Sequence, residues 1–139
     1  IYDAVLRVQQ QAMNMLRPGI DIQSYHKEIG LVMEAELISL GLIDKTDVQN
    51  QDHANPAYKK YFMHGTSHHL GLDVHDVGTM YEPIQAGMVF TVEPGIYVLE
   101  EGIGIRLENN IVINDNGYTD LMGNIPIDPE EIETLMNEK

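Results

Sequence analysis

The stretch "MVFTVEPGIYVLE", residues 88–100, and the run "GIRLENNIVIN", residues 104–114, set the fold class. Both are rich in Val, Ile, Tyr and Thr and are bounded by Gly, Pro and Asn, the pattern of short strands, here read as antiparallel. Upstream, "IYDAVLRVQQQAMNMLRPG" repeats its apolar residues at helical spacing until Pro18-Gly19 stops it. A second helix is predicted after an Asp21 N-cap and before Gly41, with Tyr25, Ile29, Val32, Met33, Leu37 and Leu40 as its apolar stripe. Residues 44–60 are polar, contain Asn55-Pro56, and read as a surface loop. Downstream, Asp128 followed by Pro129 and acidic residues predicts a closing helix over "DPEEIETLMNEK". Two helices, a group of strands and a last helix make an α+β domain, an antiparallel sheet with flanking helices.

A chain of 139 residues is long enough for one domain with a real core. A formal charge of −14 argues against nucleic acid and against anionic membrane surfaces. With no cysteine, any metal must be held by His, Asp and Glu, a set that suits Zn, Mn, Co or Fe. The lack of a disulfide framework fits a cytoplasmic home. No apolar run reaches membrane-spanning length. The chain opens at Ile1 inside a helical pattern, so an upstream segment is expected.

Residues 64–76, "HGTSHHLGLDVHD", hold four of the six histidines. His64 and His68 would share a helix face, but Gly65 and Gly71 favour an extended or looped segment. One histidine there would be satisfied by a carbonyl; four together point to a functional cluster. In an extended chain His69 points away from His68. Glu93 ends an apolar strand before Pro94-Gly95, and Arg106 and Glu108, two apart, are expected to share one strand face. Burying an acid without a partner is costly, and most charged residues face solvent, so both placements of the glutamates stand on this ground alone. Together with the histidines they suggest a His/Glu/Glu ligand set. The chemistry this points to is metal-assisted hydrolysis, with a further histidine to bind or protonate substrate. The rival is a non-catalytic binding domain with an incomplete site.

Three segments, "YFMHGTSHHLGLDVHDVG" (61–78), "GMVFTVEPGIY" (87–97) and "GIGIRLENNIVI" (102–113), resemble the motifs of the aminopeptidase P family, the Xaa-Pro aminopeptidases. Their pita-bread fold is shared with methionine aminopeptidase, prolidase and creatinase. The resemblance runs from the first helix to the last, with the motifs in the family's order and spacing. It implies two divalent metal ions, often manganese, with zinc or cobalt as the other choices, held by two aspartates, one histidine and two glutamates. It carries the histidine ligand to His68, one glutamate to Glu93 and the bridging glutamate to Glu108. It implies substrate contact and proton transfer for His64 and His75, a proton-carrying role for Glu93, a substrate-side place for Tyr97 and a catalytic place for Arg106. The implied substrates are peptides with proline second.

Two departures from the family pattern stand out. The family's aspartate ligands come from strands before the first helix. Residues 1–139 are therefore expected to be the C-terminal portion of the catalytic domain, the C-terminal half of the pita-bread fold. The N-terminal domain and the first half of the catalytic domain then lie outside it. Such a chain is expected to be inactive alone, to hold metal weakly or not at all, and to self-associate through an exposed edge into a homo-oligomer. His69 stands where relatives carry a bulky aromatic, which implies altered packing or substrate fit. Prolidase, acting on dipeptides, and a catalytically dead peptide-binding module are the alternatives.

Overall fold

The computed structural model describes residues 1–79 and 81–138. Helix α1 (Tyr2–Met15) buries Ala4, Val5, Val8, Ala12 and Met13, one face at helical spacing. Helix α2 (Ile22–Ser39) is capped as predicted, the Asp21 side chain accepting from the Ser24 N–H at 2.7 Å. Its stripe holds at Tyr25, Ile29, Met33 and Leu37, whereas Leu40, the C-cap residue, is 37% exposed. The polar stretch read as a loop contains a short helix, α3 (Lys45–Gln49), and a 3-10 turn, Ala57–Lys60. The cause is a capping box: the Asp44 side chain accepts from the Thr46 and Asp47 N–H groups while Asp47 accepts from the Asp44 N–H. It needs no apolar periodicity, so hydrophobic patterning does not reveal it.

Among the described residues five antiparallel strands follow: β1 (Val89–Val92), β2 (Gly95–Val98), β3 (Ile103–Arg106), β4 (Asn109–Asn114) and β5 (Gly117–Asp120). They form two sheets, β1-β4-β5 and β2-β3. The run 104–114 is thus not one strand: it leaves the β2 hairpin after Arg106 and pairs with β1 from Asn109. One register nevertheless carries through both sheets. Val92 faces Asn109 on one side of the interruption and Gly95 faces Arg106 on the other, which sets Glu93 opposite Glu108 and Pro94 opposite Leu107. Pro94 cannot donate to the ladder, so the hairpin breaks and bends there. The Leu107 N–H still reaches the Pro94 carbonyl at 3.3 Å, keeping the two crossings side by side.

Phe90, Val92, Ile96, Val98, Ile111 and Ile113 join the buried faces of α1 and α2 in one core. Along β4 the burial alternates, with Asn109, Ile111 and Ile113 inward. Gln9 of α1 is fully buried, its amide donating toward the Val92 carbonyl (3.4 Å) and Asn109 Oδ1 (3.3 Å), so a helix is tied to the last rung before the bend. Helix α4 (Pro129–Asn137) starts at Asp128, whose carboxylate accepts from the Glu130 and Glu131 N–H groups. Lys139, at the end of the predicted helix, lies outside the described residues. The α+β class with antiparallel sheets and helices is as expected. Among the described residues no helix is long and apolar enough to cross a membrane.

Candidate metal centre

The bend places two carboxylates at one corner, and a third segment runs along the free side of β1. The Glu93 N–H donates to the Thr66 carbonyl (2.8 Å), the Thr91 N–H to that of His68 (3.1 Å), and the Leu70 N–H to that of Val89 (3.1 Å). Residues 66–70 are therefore extended beside the strand, and neighbouring side chains diverge. His68 turns to Glu93, while the His69 ring lies on Phe90 with centroids 4.4 Å apart. A side chain at Gly78 would collide with the His69 ring, so the role of His69 here is packing.

His68 Nε2 lies 2.9 Å from Glu93 Oε1. Its Nδ1 is 2.9 Å from the His69 carbonyl, so both ring nitrogens face acceptors: a protonated ring donates at both ends, and a neutral ring that donates from Nδ1 presents its Nε2 lone pair toward Glu93. Metal-ligating histidines are held in this way, the far nitrogen bound to a carbonyl. Thr91 completes the support: its hydroxyl accepts from the His68 N–H (3.1 Å) and donates to Glu93 Oε1 (3.1 Å). Thr91 was absent from the sequence-based set; its signal is parity, since it lies two residues before Glu93 on the same strand face.

The Glu93 side chain is only 13% exposed, which removes the solvent-facing alternative for it. Arg106, half exposed, spans both acids, with Nε 3.8 Å from Glu93 Oε2 and Nη2 3.6 Å from Glu108 Oε2. The expectation that Arg106 and Glu108 share a strand face is corrected: β3 ends at Arg106, and Glu108 sits in the connection to β4. What joins them is the ion pair and the corner, not strand alternation.

The other histidines divide into two places. The His75 ring is 4.2 Å from that of His68. Its loop is closed by Asp76, whose carboxylate accepts from the Leu72 N–H (2.8 Å) and the Val77 N–H (2.7 Å). A Cβ at Gly71 would run into that carboxylate, so a larger residue there would displace the Asp76 side chain from these bonds. His64 stands apart, its Nδ1 2.8 Å from the Gly65 carbonyl and its Nε2 2.8 Å from the Tyr97 hydroxyl. By the same tautomer argument, neutral His64 accepts from Tyr97.

One imidazole nitrogen and carboxylate oxygens suit a divalent cation. Two ligands at about 2.1 Å from a common ion stand roughly 3 Å apart, the His68–Glu93 spacing. Among the described residues, however, no group of three or more such side chains already converges as a complete metal cage. The donor set fits; the cage is partial.

The sequence model of metallopeptidase family M24 matches residues 1–115. The chain belongs to family M24. This M24 chain is 41% identical over 148 aligned positions to the Xaa-Pro aminopeptidase of Escherichia coli (strain K12), covering 98% of this chain and 33% of that one. The Xaa-Pro aminopeptidase of Haemophilus influenzae is 38% identical, with 99% and 34% covered. In structure, zinc-substituted E. coli aminopeptidase P in complex with product superposes with a TM-score of 0.85 at 39% identity, over 98% of this chain and 33% of that chain. E. coli aminopeptidase P with the inhibitor Pro-Leu gives 0.84 at 39% identity over the same shares, 98% and 33%. The M24 chain thus spans about a third of the length of the curated relatives it matches.

Proposed function

We propose that residues 1–139 form the C-terminal portion of the catalytic domain of an Xaa-Pro aminopeptidase. The reaction is hydrolysis of the bond between a peptide's N-terminal residue and a following proline. The observation that carries this reading is the corner: Glu93 opposite Glu108, with His68 against Glu93. The relatives named above are aminopeptidases, which favours this over dipeptide cleavage. The rest of the catalytic domain supplies two aspartate ligands, as the family resemblance implies, and a cytoplasmic location fits a chain without cysteine.

In this scheme His68, Glu93 and Glu108 hold two divalent ions, manganese first, zinc or cobalt as substitutes. The ions, when bound, polarise the scissile carbonyl and activate water. Glu93, sheltered and fixed by Thr91 and Arg106, takes up a proton from the attacking water and returns it to the leaving amine. Arg106 balances the negative charge of the two glutamates. His64, oriented by Tyr97, and His75, stacked by His68, contact the peptide and support proton transfer. The exposed Leu72, Val77 and Leu99 support burial against the rest of the protein and self-association of the isolated chain into a homo-oligomer.

The test compares the full-length protein, loaded with manganese, on a peptide with proline second and on its alanine counterpart. Cleavage of the proline peptide, reduced by about 10²–10⁴-fold in Glu93→Gln, is the expected result. Equal turnover of both peptides, or an active Glu93→Gln variant, defeats the proposal. The 139-residue chain alone is expected to show no turnover with added metal.

A further inference from the structure

We infer that His26, on α2, is a positioning residue that fixes the backbone between His64 and His68. As a role in catalysis this rests on the function proposed above; as a structural device it does not. The Thr66 N–H donates to His26 Nδ1 at 3.1 Å. An accepting Nδ1 places the ring hydrogen on Nε2, so His26 acts as a neutral acceptor. Its helix neighbour Tyr25 reaches the next loop residue, its hydroxyl 3.0 Å from Ser67 Oγ, and the two aromatic rings meet edge to face at 5.4 Å. Consecutive residues of α2 thus hold consecutive residues of the site loop.

Thr66 is the hinge point of this arrangement. Its carbonyl accepts from the Glu93 N–H while its own N–H is held by His26, so two peptide groups of one residue link helix α2 to the corner. Thr66 is 1% exposed, so in the folded protein its N–H depends on the His26 acceptor. Its hydroxyl makes no hydrogen bond among the described residues, so the backbone bonds carry the anchoring. Gly65 permits the approach: a Cβ there would lie 3.2 Å from His26 Cε1. Removing the acceptor strands a buried N–H, and relief requires the loop to move, carrying His64 away from Tyr97 on one side and His68 away from Glu93 on the other.

The experiment uses the full-length protein with His26→Leu, which abolishes the acceptor, and His26→Asn, whose amide oxygen replaces Nδ1. Ile29→Val, a core truncation on the same helix, controls for general destabilisation. Hydrogen exchange is measured on peptides spanning residues 64–68, with kcat and KM on an Xaa-Pro peptide. In His26→Leu, exchange should quicken and kcat should fall by about tenfold each, the size of one buried hydrogen bond, with a smaller change in KM. His26→Asn should restore both, and Ile29→Val should lower Tm while leaving kcat unchanged. If His26→Leu does not fold, His26→Ala takes its place, since it too has no side-chain acceptor. Wild-type exchange in the acceptor-less variant, or equal impairment of the Asn and Leu variants, overturns the inference. Should the wild type cleave no Xaa-Pro peptide, the functional proposal falls, and the exchange data still decide the role of His26.

Discussion

His68 Nε2 and Glu93 Oε1 stand 2.9 Å apart, and a neutral imidazole that donates to the His69 carbonyl at the other end of the ring has no hydrogen left for the carboxylate. A lone pair facing a carboxylate is repelled unless a cation, a proton or a metal ion, lies between them. In the proposed site a divalent ion takes that place between His68 and Glu93. Replacing His68 with Ala in the full-length protein should lower divalent-metal affinity by at least about 100-fold, the upper end of what losing a supporting residue costs. Calorimetric titration with manganese measures it; unchanged affinity would remove His68 from the ligand set.

Thr91 is nearly fully buried and spends its hydroxyl twice, on the His68 N–H and on Glu93. Valine has the same shape without either bond. Thr91→Val should therefore cost about 1–3 kcal/mol of stability and roughly 10-fold or more in metal affinity. Urea denaturation and titration of the same variant separate the two effects. Loss of stability with full metal affinity would make Thr91 a packing residue only.

The contrast between what patterning reveals here and what it hides has a physical origin. Caps at Asp21 and Asp128 and the apolar faces of α1 and α2 are local, and they are visible without any partner. The motif histidines, Glu93 and Glu108 stand out by type and spacing. The opposition of Glu93 to Glu108 does not, because it depends on a register that spans two sheets and on a proline that interrupts it. Read as one strand, "GIRLENNIVIN" puts Glu108 on a strand face with Arg106; folded, its two halves pair with different partners. α3 escaped because a capping box carries no hydrophobic period, and β5 because four residues, Gly117–Asp120, show no clear alternation. His26 and Thr91 act through contacts distant in sequence, which no local pattern encodes.

The loop that presents His75 is held by the Asp76 carboxylate together with two backbone bonds, the Asp76 N–H to the His69 carbonyl (3.1 Å) and the Gly71 N–H to that of Asp73 (3.3 Å). Asp76 accepts from two backbone N–H groups and packs closely against Gly71. Asp76→Ala should destabilise the protein by about 1–2 kcal/mol, typical of losing a side chain that caps backbone donors. It should also open residues 71–77 to limited proteolysis before global unfolding. If cleavage there keeps pace with wild type, the loop is held by something other than Asp76.

His26 also makes stability depend on pH, with a definite sign. Burial pushes its imidazole below the ordinary value of 6.5, only partly offset by a backbone contact with Ser67. Between the depressed folded value and 6.5 the unfolded chain binds a proton that the folded chain does not, so stability rises with pH across that window. The contribution is fully present above 6.5 and is lost as the pH falls toward the folded value. Asn at position 26 keeps an acceptor for the Thr66 N–H but does not titrate. Unfolding free energies of wild type and His26→Asn, compared between about pH 5 and 8, should therefore diverge on acidification, with the wild type losing more. A difference that stays constant across the range would show that His26 is free to take up a proton in the folded state, and that the acceptor bond to Thr66 imposes no cost on doing so.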